Sequence, residues 1–485
     1  ADFSHYAESF NGMEDENIVQ AIPNAKASEW MEENIPLFEC PQRNFEEMYY
    51  YRWWSLRKHI KETPVGYGMT EFLVQRSYSD KYNLIACAIG HHIYESRWLR
   101  DPKYLDQIIH TWYRGNDGGP MKKMDKFSSW NADAVLARYM VDGDKDFMLD
   151  MTKDLETEYQ RWERTNRLKN GLYWQGDVQD GMEESISGGR KKKYARPTIN
   201  SYMYGNAKAL SIMGILSGDE GMAMRYGMRA DTLKSLVEND LWNTRHQFFE
   251  TMRTDSSANV REAIGYIPWY FNLPDTTKKY EVAWKEIMDE KGFSAPYGLT
   301  TAERRHPEFR TRGVGKCEWD GAIWPFASAQ TLTAMANFMN NYPQTVLSDS
   351  VYFRQMELYV ESQYHRGRPY IGEYLDEVTG YWLKGDQERS RYYNHSTFND
   401  LMITGLVGLR PRLDDTIEVN PLIPTDKWDW FCLDNVLYHG YNLTILWDKN
   451  GDRYHCGKGL RIFVNGKEAG HADTLTRLVC ENALK

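Results

Sequence analysis

The chain has 485 residues and a formal net charge of −10 at neutral pH. That charge argues against nucleic acid or an anionic membrane surface as a partner, since both need a basic protein face that displaces counterions. There is no run of 18 apolar residues, so the sequence predicts no membrane-spanning segment. The aromatic share is high at 14%, which fits either a large core or a surface on which sugar rings stack.

The cysteines show no C-x-x-C pair and no spacing typical of a metal site. We therefore predict no metal or other cofactor, although a structural Ca²⁺ held by loop carboxylates stays open. Most of the cysteines are expected to be reduced, with a disulfide among the last three left open. The cysteines are Cys40, Cys87, Cys317, Cys432, Cys456 and Cys480. Because the sequence begins at Ala1 without Met, we expect a processed chain in the periplasm or outside the cell.

Residues 1–45 carry one possible short helix, at 27–34, and are interpreted as an arm that packs on the rest. From 46 to 410, apolar residues recur every three or four positions, the period of a helix. About twelve helices are expected, with Asp219 and Ser396 as N-caps. They are predicted near 52–63, 82–97, 103–116, 130–142, 147–166, 206–219, 220–241, 264, 277–293, 327–342, 351–365 and 396–410. Helix pairs in this number predict a mainly α fold, an (α/α)6 toroid with substrate loops at one end of its inner ring.

The pattern changes after Pro411, where apolar and polar residues tend to alternate, the period of a strand. Asn-Gly pairs at 450–451 and 465–466 are hairpin turn signals. Residues 411–485 are therefore predicted to form a small C-terminal β unit.

Two acidic, aromatic segments carry the candidate chemistry, at 173–189 and 370–382. Glycosidic bonds are cut by two carboxyl groups that flank the sugar. In the first segment Asp180 is the predicted general acid, because nearby carboxylates and apolar groups can raise a carboxyl pKa. Asp177 is its closest rival, and Glu183 could instead bind substrate hydroxyls.

In the second segment Glu373 is the predicted general base. It lies between Gly372 and Tyr374, whereas Asp376 and Glu377 lead into a turn that is expected to be exposed. In an inverting enzyme the base holds a water across the sugar from the acid, with the carboxyls about 6.5–9.5 Å apart.

Further residues are predicted to bind the substrate. Trp319 and Trp324 could form a stacking wall, and Asp320 could accept hydrogen bonds from two sugar hydroxyls. The other candidates lie mainly where loops meet helices. They are Trp53, Trp54, Asp80, Trp130, Asn131, Trp174, Asp177, Arg196, Asn200, Tyr202 and Trp382.

The order of these motifs resembles that of a known enzyme group. An acid loop is followed by Trp-x-Gly-x-x-Trp-Pro at 319–325, Glu-x5-Thr-Gly at 373–380 and Val-Asn-Pro-Leu-Ile-Pro at 419–424. This is similar to the (α/α)6 glycoside hydrolases of family 63 and the mannosylglycerate hydrolase type, with trehalase and glycogen-debranching relatives, over roughly residues 50 to 425. The acid motif of those enzymes often reads Ser-Gly-x-Asp-Asn/Phe-Ser, whereas here Asp180 is followed by Gly-Met-Glu.

The resemblance implies an exo-acting, inverting enzyme on a small α-linked oligosaccharide or glycoside. It carries the acid onto Asp180, the base onto Glu373 and a sugar contact onto Asp320.

Two other functions remain open on sequence alone. A polysaccharide lyase would remove a proton beside a uronate carboxylate, using Tyr202, His395 or Arg196. The basic run at 190–193 would suit such an anionic polymer. A non-catalytic protein could also retain an aromatic cleft that binds glycans.

Overall fold

The structure is a computed structural model that describes residues 2–485, and helices are the main regular secondary structure of this part of the chain. The helices, numbered in chain order, are α1 Ser4–Asn11, α2 Ala27–Asn34, α3 Arg43–Lys58, α4 Ile89–Ser96, α5 Lys103–Arg114, α6 Asn131–Asp142, α7 Lys145–Asn166, α8 Pro197–Ser217, α9 Glu220–Leu236, α10 Ile267–Tyr270, α11 Lys278–Glu281, α12 Pro325–Asn341, α13 Asp349–Ser362 and α14 Asn399–Leu401. The twelve helices from α3 to α14 match the number predicted from the helical period. Residues 402–407 continue α14 as a π-helical segment.

The strands are short in the first part of the chain and longer near its end. They are β1 Leu37–Glu39, β2 Ile60–Thr63, β3 Gly66–Met69, β4 Trp174–Gln175, β5 Tyr194–Ala195, β6 Trp242–Asn243, β7 Phe248–Phe249, β8 Ser294–Ala295, β9 Gly298–Leu299, β10 Tyr364–His365, β11 Arg368–Pro369, β12 Tyr374–Leu375, β13 Trp382–Leu383, β14 Ile417–Val419, β15 Trp430–Tyr438, β16 Tyr441–Asp448, β17 Gly459–Val464, β18 Lys467–Ala472 and β19 Leu478–Cys480.

The even-numbered helices from α4 to α14 form a closed inner ring. Each contacts the next along the chain, and α14 contacts α4. The odd-numbered helices from α3 to α13 lie outside this ring. Burial follows that division: α8 is buried over most of its surface, whereas α7 buries one face at the helical period, as in Met148, Met151 and Leu155. The predicted toroid is confirmed.

The ring closes through a buried carboxylate on α4. Glu95 accepts hydrogen bonds from the backbone N–H groups of Phe398, Asn399 and Asp400 at 2.8–3.0 Å, which caps α14. Close by, Arg97 donates two bonds to the Asp400 carboxylate, at 2.8 and 3.0 Å. The prediction that Ser396 caps this helix is wrong, because its hydroxyl accepts from Arg52 instead.

One helix is longer than its sequence pattern indicated. α8 begins at Pro197, nine residues before the predicted start at 206. Proline suits the first position of a helix, where its missing N–H costs no hydrogen bond. The residues that follow Pro197 include several polar ones, and these concealed the helical period in the first turns of α8.

The C-terminal sheet is antiparallel, in the order β1-β15-β16-β17-β18. Its edge strand β1 comes from the N-terminal arm and pairs Leu37 with Asp434 and Glu39 with Cys432. Asn465-Gly466 forms the predicted tight turn between β17 and β18, with both residues at positive φ. The boundaries at 45 and 410 stay predictions.

All six cysteines are free in the described chain, so the disulfide left open among the last three is not formed. Across residues 2–485, no helix combines the length and the apolarity that crossing a membrane requires.

The closeness of the inner helices gives a stability prediction. A Cβ added at Gly90 in α4 would lie 2.1 Å from Cε2 of the buried Trp130. We expect Gly90→Ala to lower the free energy of unfolding by about 3 kcal/mol, measured in urea, because neither neighbour can move away. Gly221→Ala in the first turn of α9 is the control, since the nearest atom to its added Cβ is an Asp219 oxygen at 3.6 Å. It should be neutral or stabilising by about 0.5–1 kcal/mol. Equal losses in both variants would contradict this account.

Candidate active site

The candidate site lies at the N-terminal end of the inner ring. Segments that lead into α4, α8, α12 and α14 bring Cys87, Arg196, Trp324 and His395 to this end, and all four side chains are buried there. Loops at this end carry both acidic segments. The toroid thus gathers residues that are far apart in sequence into one cleft.

Glu183 is a half-buried carboxyl in the first acidic loop. The loop turns at Gly181, with φ 71°, and again at Glu184, which has the strained φ of 66°. Burial raises the pKa of Glu183 to about 7, and the charges of Glu373 and Asp177 add to this, while Arg190 opposes it. At neutral pH this carboxyl therefore keeps a large fraction of its proton.

Glu373 is 4% exposed and directly precedes strand β12. Its Oε1 accepts a hydrogen bond from the Cys317 thiol at 3.6 Å. Among the described residues no donor reaches its Oε2, and the nearest cation is Arg389 Nη2 at 3.9 Å. Glu373 thus has one oxygen with a hydrogen-bond donor and one buried oxygen without a donor.

A third carboxyl, Glu71, lies within electrostatic reach of the other two. Its oxygens accept hydrogen bonds from the Cys87 thiol and the Tyr393 hydroxyl, both at 3.0 Å. Burial raises the pKa of Glu71 to about 8, and the charges of Glu373 and Glu183 contribute. Glu71 is therefore mostly protonated at neutral pH. Nothing in the sequence around Glu71 indicated that this carboxyl lies at the site.

Asp180 occupies a different environment from the one that a proton donor needs. Its Oδ2 accepts from Arg196 Nε at 2.7 Å and from Thr198 Oγ1 at 2.6 Å, and its Oδ1 accepts from Ser128. The Asp180 and Arg196 side chains have no exposed surface. A carboxylate whose oxygens are occupied by a guanidinium and two hydroxyls, with no exposed surface, is out of reach of a substrate. The geometry therefore disfavours Asp180 as the acid.

Asp177 is buried beside a cavity of about 180 Å³ that Glu184, Arg190 and Arg312 also line. Its Oδ1 has no donor in the described part of the chain. Burial raises the pKa of Asp177, and Arg196 opposes the rise. Asp177 thus remains a possible substrate contact at the edge of the cleft.

The predicted tryptophan wall is a buried stack that supports Glu373. Trp324 lies between Trp319, at 4.7 Å, and Tyr374, at 4.6 Å between ring centroids. Both faces of Trp324 are therefore occupied by protein. Asp320 accepts from the backbone N–H groups of Arg312 and Gly313, so it holds its own loop. Since its Oδ2 serves the backbone and its side chain is fully buried, the geometry disfavours a sugar contact here.

Two predicted residues lie below the cleft, between inner helices. Trp130 packs on Tyr202 at 4.9 Å and on His91 at 5.0 Å. Tyr202 accepts a hydrogen bond from Gln330 at 2.8 Å. Both side chains are at most 1% exposed, so they shape the floor of the site.

The remaining predicted residues mostly make structural contacts. Trp174 is half-buried under Lys193, whose Nζ lies 4.9 Å from the ring centroid. The others each contact another part of the protein. Trp53 packs on Tyr49, and three side chains donate hydrogen bonds: Trp54 to Asn11, Asn131 to Glu158 and Trp382 to the Ser362 carbonyl. Asp80 accepts from the backbone N–H groups of Lys81 and Lys123, and Asn200 bonds the Tyr173 backbone.

Cationic side chains surround the two glutamates, and we call this group the cationic collar. Arg389 lies near Glu373, and Lys316 Nζ lies 3.8 Å from Glu184. Lys384 Nζ lies 5.2 Å from the centroid of the Tyr374 ring. Arg190, the fourth member, lowers the pKa of Glu183 through its charge. These four cations lie among the carboxyls of the site, in a protein of net charge −10.

No group of three or more metal-ligand side chains is arranged as a metal site within residues 2–485. The structural Ca²⁺ stays a prediction.

Two families match the sequence. The family described as "Mannosylglycerate hydrolase MGH1-like glycoside hydrolase domain" matches residues 81–396, and "Glycosyl hydrolase family 65, C-terminal domain" matches residues 409–471. The first covers most of the toroid and the second most of the C-terminal sheet.

Solved structures are similar as well. One named "Sialidase" is 99% identical over all of this chain with a TM-score of 0.99, and the chain spans 45% of its length. The family 63 mannosylglycerate hydrolase from Thermus thermophilus, solved with Tris and D-glycerate, is 12% identical over 74% of this chain and 100% of its own, with a TM-score of 0.56. A family 78 rhamnosidase of Bacillus sp. GL1 is 11% identical over 88% of this chain and 41% of its own, with a TM-score of 0.58. The last two likenesses concern the fold alone.

The sequence held a signal for Glu183 that our prediction did not use. Gly181-Met182-Glu183-Glu184-Ser185 follows the Gly-x-Asp-Asn-Ser part of the acid motif quoted above, with Glu183 at the position of the acid. Aligning the motif on its Gly and Ser, rather than on its Asp, shifts the acid from Asp180 by three residues.

The ion pair of Asp180 predicts a structural effect on mutation. Asp180→Asn removes the direct ion-pair partner of the buried Arg196 guanidinium, and we expect the free energy of unfolding to fall by about 3–5 kcal/mol. The control is Asp125→Asn, which breaks a 2.8 Å ion pair with Arg161 in which both side chains are partly exposed to solvent. It should cost less than about 1 kcal/mol. Urea unfolding measures both, and a stable Asp180→Asn variant would refute the structural role.

Proposed function

Because the chain belongs to the mannosylglycerate hydrolase MGH1-like glycoside hydrolase family, we propose that it cleaves a glycosidic bond between Glu183 and Glu373. One observation carries this proposal: two carboxyl groups in electrostatic contact differ in what surrounds them. Glu183 retains a proton near neutral pH, and Glu373 has one oxygen that receives no hydrogen bond from the protein. Such a difference separates an acid from a base.

The roles follow from these surroundings. Glu183 donates its proton to the glycosidic oxygen as the bond between that oxygen and the anomeric carbon breaks. Glu373 Oε2 accepts a hydrogen bond from a water on the opposite face of the sugar and takes its proton as the water oxygen attacks the anomeric carbon. These two proton transfers, with attack by water from the opposite face, invert the configuration of the anomeric carbon. On the basis of the family resemblance, we also propose that the enzyme is exo-acting and that its substrate is an α-linked glycoside.

The cationic collar supports a substrate that carries a carboxylate. Arg190, Lys316, Lys384 and Arg389 would stabilise an anionic group close to the scissile bond. Two similar proteins have names or ligands that involve acidic compounds, a sialidase and an enzyme solved with D-glycerate. We therefore propose an acidic glycoside as substrate.

A lyase reaction has less support. Its candidate cation Arg196 is already paired with Asp180, and its candidate base Tyr202 is buried and accepts from Gln330. Neither group can reach a uronate without rearrangement. The absence of unsaturated product absorbance during turnover would separate the two chemistries.

The assignment of acid and base can be tested by amide substitutions. We expect Glu183→Gln and Glu373→Gln each to lower kcat by about 10³-fold, because each removes a proton transfer, while thermal melting stays near that of the wild type. Only Glu183→Gln should recover on a dinitrophenyl glycoside, whose leaving group needs no proton. Glu388→Gln, an exposed position in the loop after Glu373, is the control and should keep full activity.

The pH dependence has a defined sign. Since a general acid must be protonated, kcat/KM should fall above about pH 7, and this basic limb should disappear in Glu183→Gln. Proton NMR of the first product should show the inverted anomer. Wild-type activity in either amide variant would refute the assignment, and a retained anomer would refute the direct attack by water.

The charge of the substrate can be tested separately. We expect Lys316→Gln combined with Lys384→Gln to raise KM about tenfold for a carboxylate-bearing glycoside, because an attractive charge is lost. KM for the neutral analogue should not change. Lys449→Gln on the C-terminal sheet is the control. An equal change for both substrates would contradict a role in recognising charge.

A further inference from the structure

We propose that Cys317 is a positioning residue of the cleavage reaction, whose thiol orients Glu373 through Oε1 and leaves Oε2 for the attacking water. This inference rests on the proposed role of Glu373 as base. It concerns a residue type that hydrolytic carboxylate pairs do not require, and neither the motifs nor the family resemblance indicated it.

The geometry fixes the thiol against the carboxylate. Cys317 Sγ lies 3.6 Å from Glu373 Oε1, a hydrogen-bonding distance for sulfur. The neighbouring Lys316 carbonyl accepts a hydrogen bond from the hydroxyl of Tyr374, the residue after Glu373. The two segments are thus tied at adjacent residues on both sides. The Trp319-Trp324-Tyr374 stack connects the same two segments a few residues further along.

The thiol can act only as a donor in this environment. Burial raises the pKa of Cys317 to about 12, and the charges of Glu373 and Glu183 contribute, while Lys384 opposes the rise. The sulfur therefore keeps its proton throughout the working range of an enzyme. Its S–H group orients the Glu373 carboxylate and does not compete for the proton of the water.

The strength of the donor matters for a base. Hydrogen bonds to the charged form of a carboxylate lower its basicity, and strong donors lower it most. Asp180 has strong donors of this kind in the same protein, a guanidinium and two hydroxyls. A thiol is a weak donor. Cys317 thus orients Glu373 at little cost to its basicity.

Other titratable groups lie near Glu373. Arg389 Nη2 is 3.9 Å from its Oε2, and the charge of Glu373 adds to the rise in pKa that burial causes at Glu71 and Glu183. Burial also raises the pKa values of four tyrosines, and the charge of Glu373 adds to each; they are Tyr78, Tyr370, Tyr374 and Tyr393. Among the described residues, Cys317 is the group that donates a hydrogen bond to its side chain. Removing this thiol should therefore change the base directly.

The test compares Cys317→Ala, Cys317→Ser and the wild type on one substrate. We expect Cys317→Ala to lower kcat about tenfold with little change in KM, because the base loses its orientation but the substrate contacts remain. Cys317→Ser restores a donor and should return kcat to within about threefold of the wild type.

Cys456→Ala, at an exposed cysteine of the C-terminal unit, is the control and should match the wild type. Thermal melting of each variant checks folding, and the serine variant preserves the test if the alanine variant is unstable. Wild-type kcat in Cys317→Ala would overturn this inference while Glu373→Gln remained inactive. An active Glu373→Gln would instead overturn the proposed function.

Discussion

The closure of the inner ring by Glu95 is the interaction on which the site depends. This one carboxylate holds three successive backbone N–H groups at the start of α14, and Arg97 holds Asp400 beside it. The segment before α14 is thereby fixed against α4 and the β2–β3 hairpin. Asn394 bonds the backbone of Thr70 and Glu71 there, which brings the Tyr393 hydroxyl to the Glu71 carboxyl. Without closure, the residues of the cleft would not meet.

The cleft concentrates carboxyl groups in a way that gives each a different state. Asp180 is paired with a buried guanidinium, Glu71 is enclosed by a thiol and a hydroxyl, and Glu183 is half-buried beside Glu373. Burial and the charges of neighbouring carboxylates raise the pKa values of Glu71 and Glu183, so these two carboxyls hold protons near neutral pH. The arrangement thus divides protons among neighbours by burial and by partner. An acid and a base can then work side by side in one site.

The helices were predictable because their period reflects one buried face each, as in α7, and the hairpin at Asn465-Gly466 was predictable from turn chemistry. The functional carboxyls were harder. Asp180 and Glu183 lie in the same loop, and only the fold places Arg196, sixteen residues later, against Asp180. Trp53 and Trp54 occur in α3, an outer helix whose aromatic residues bury against the N-terminal arm and core. Glu71 and Cys317 belong to no motif, because their roles arise from contacts across the ring.

The pairing of β1 with β15 has a consequence for the order in which the chain can fold. β1 completes a sheet whose other strands are synthesised roughly 400 residues later. Likewise, α3 contacts α13 and α14, which are also synthesised much later. On a ribosome, the arm and the first outer helix therefore emerge long before their partners exist. Their aromatic surfaces remain uncovered until those partners are made, a period in which association with chaperones or other chains competes with folding. The C-terminal strands thus complete a sheet that β1 alone cannot form, and the assembly of these elements becomes cooperative only after β15 has been made.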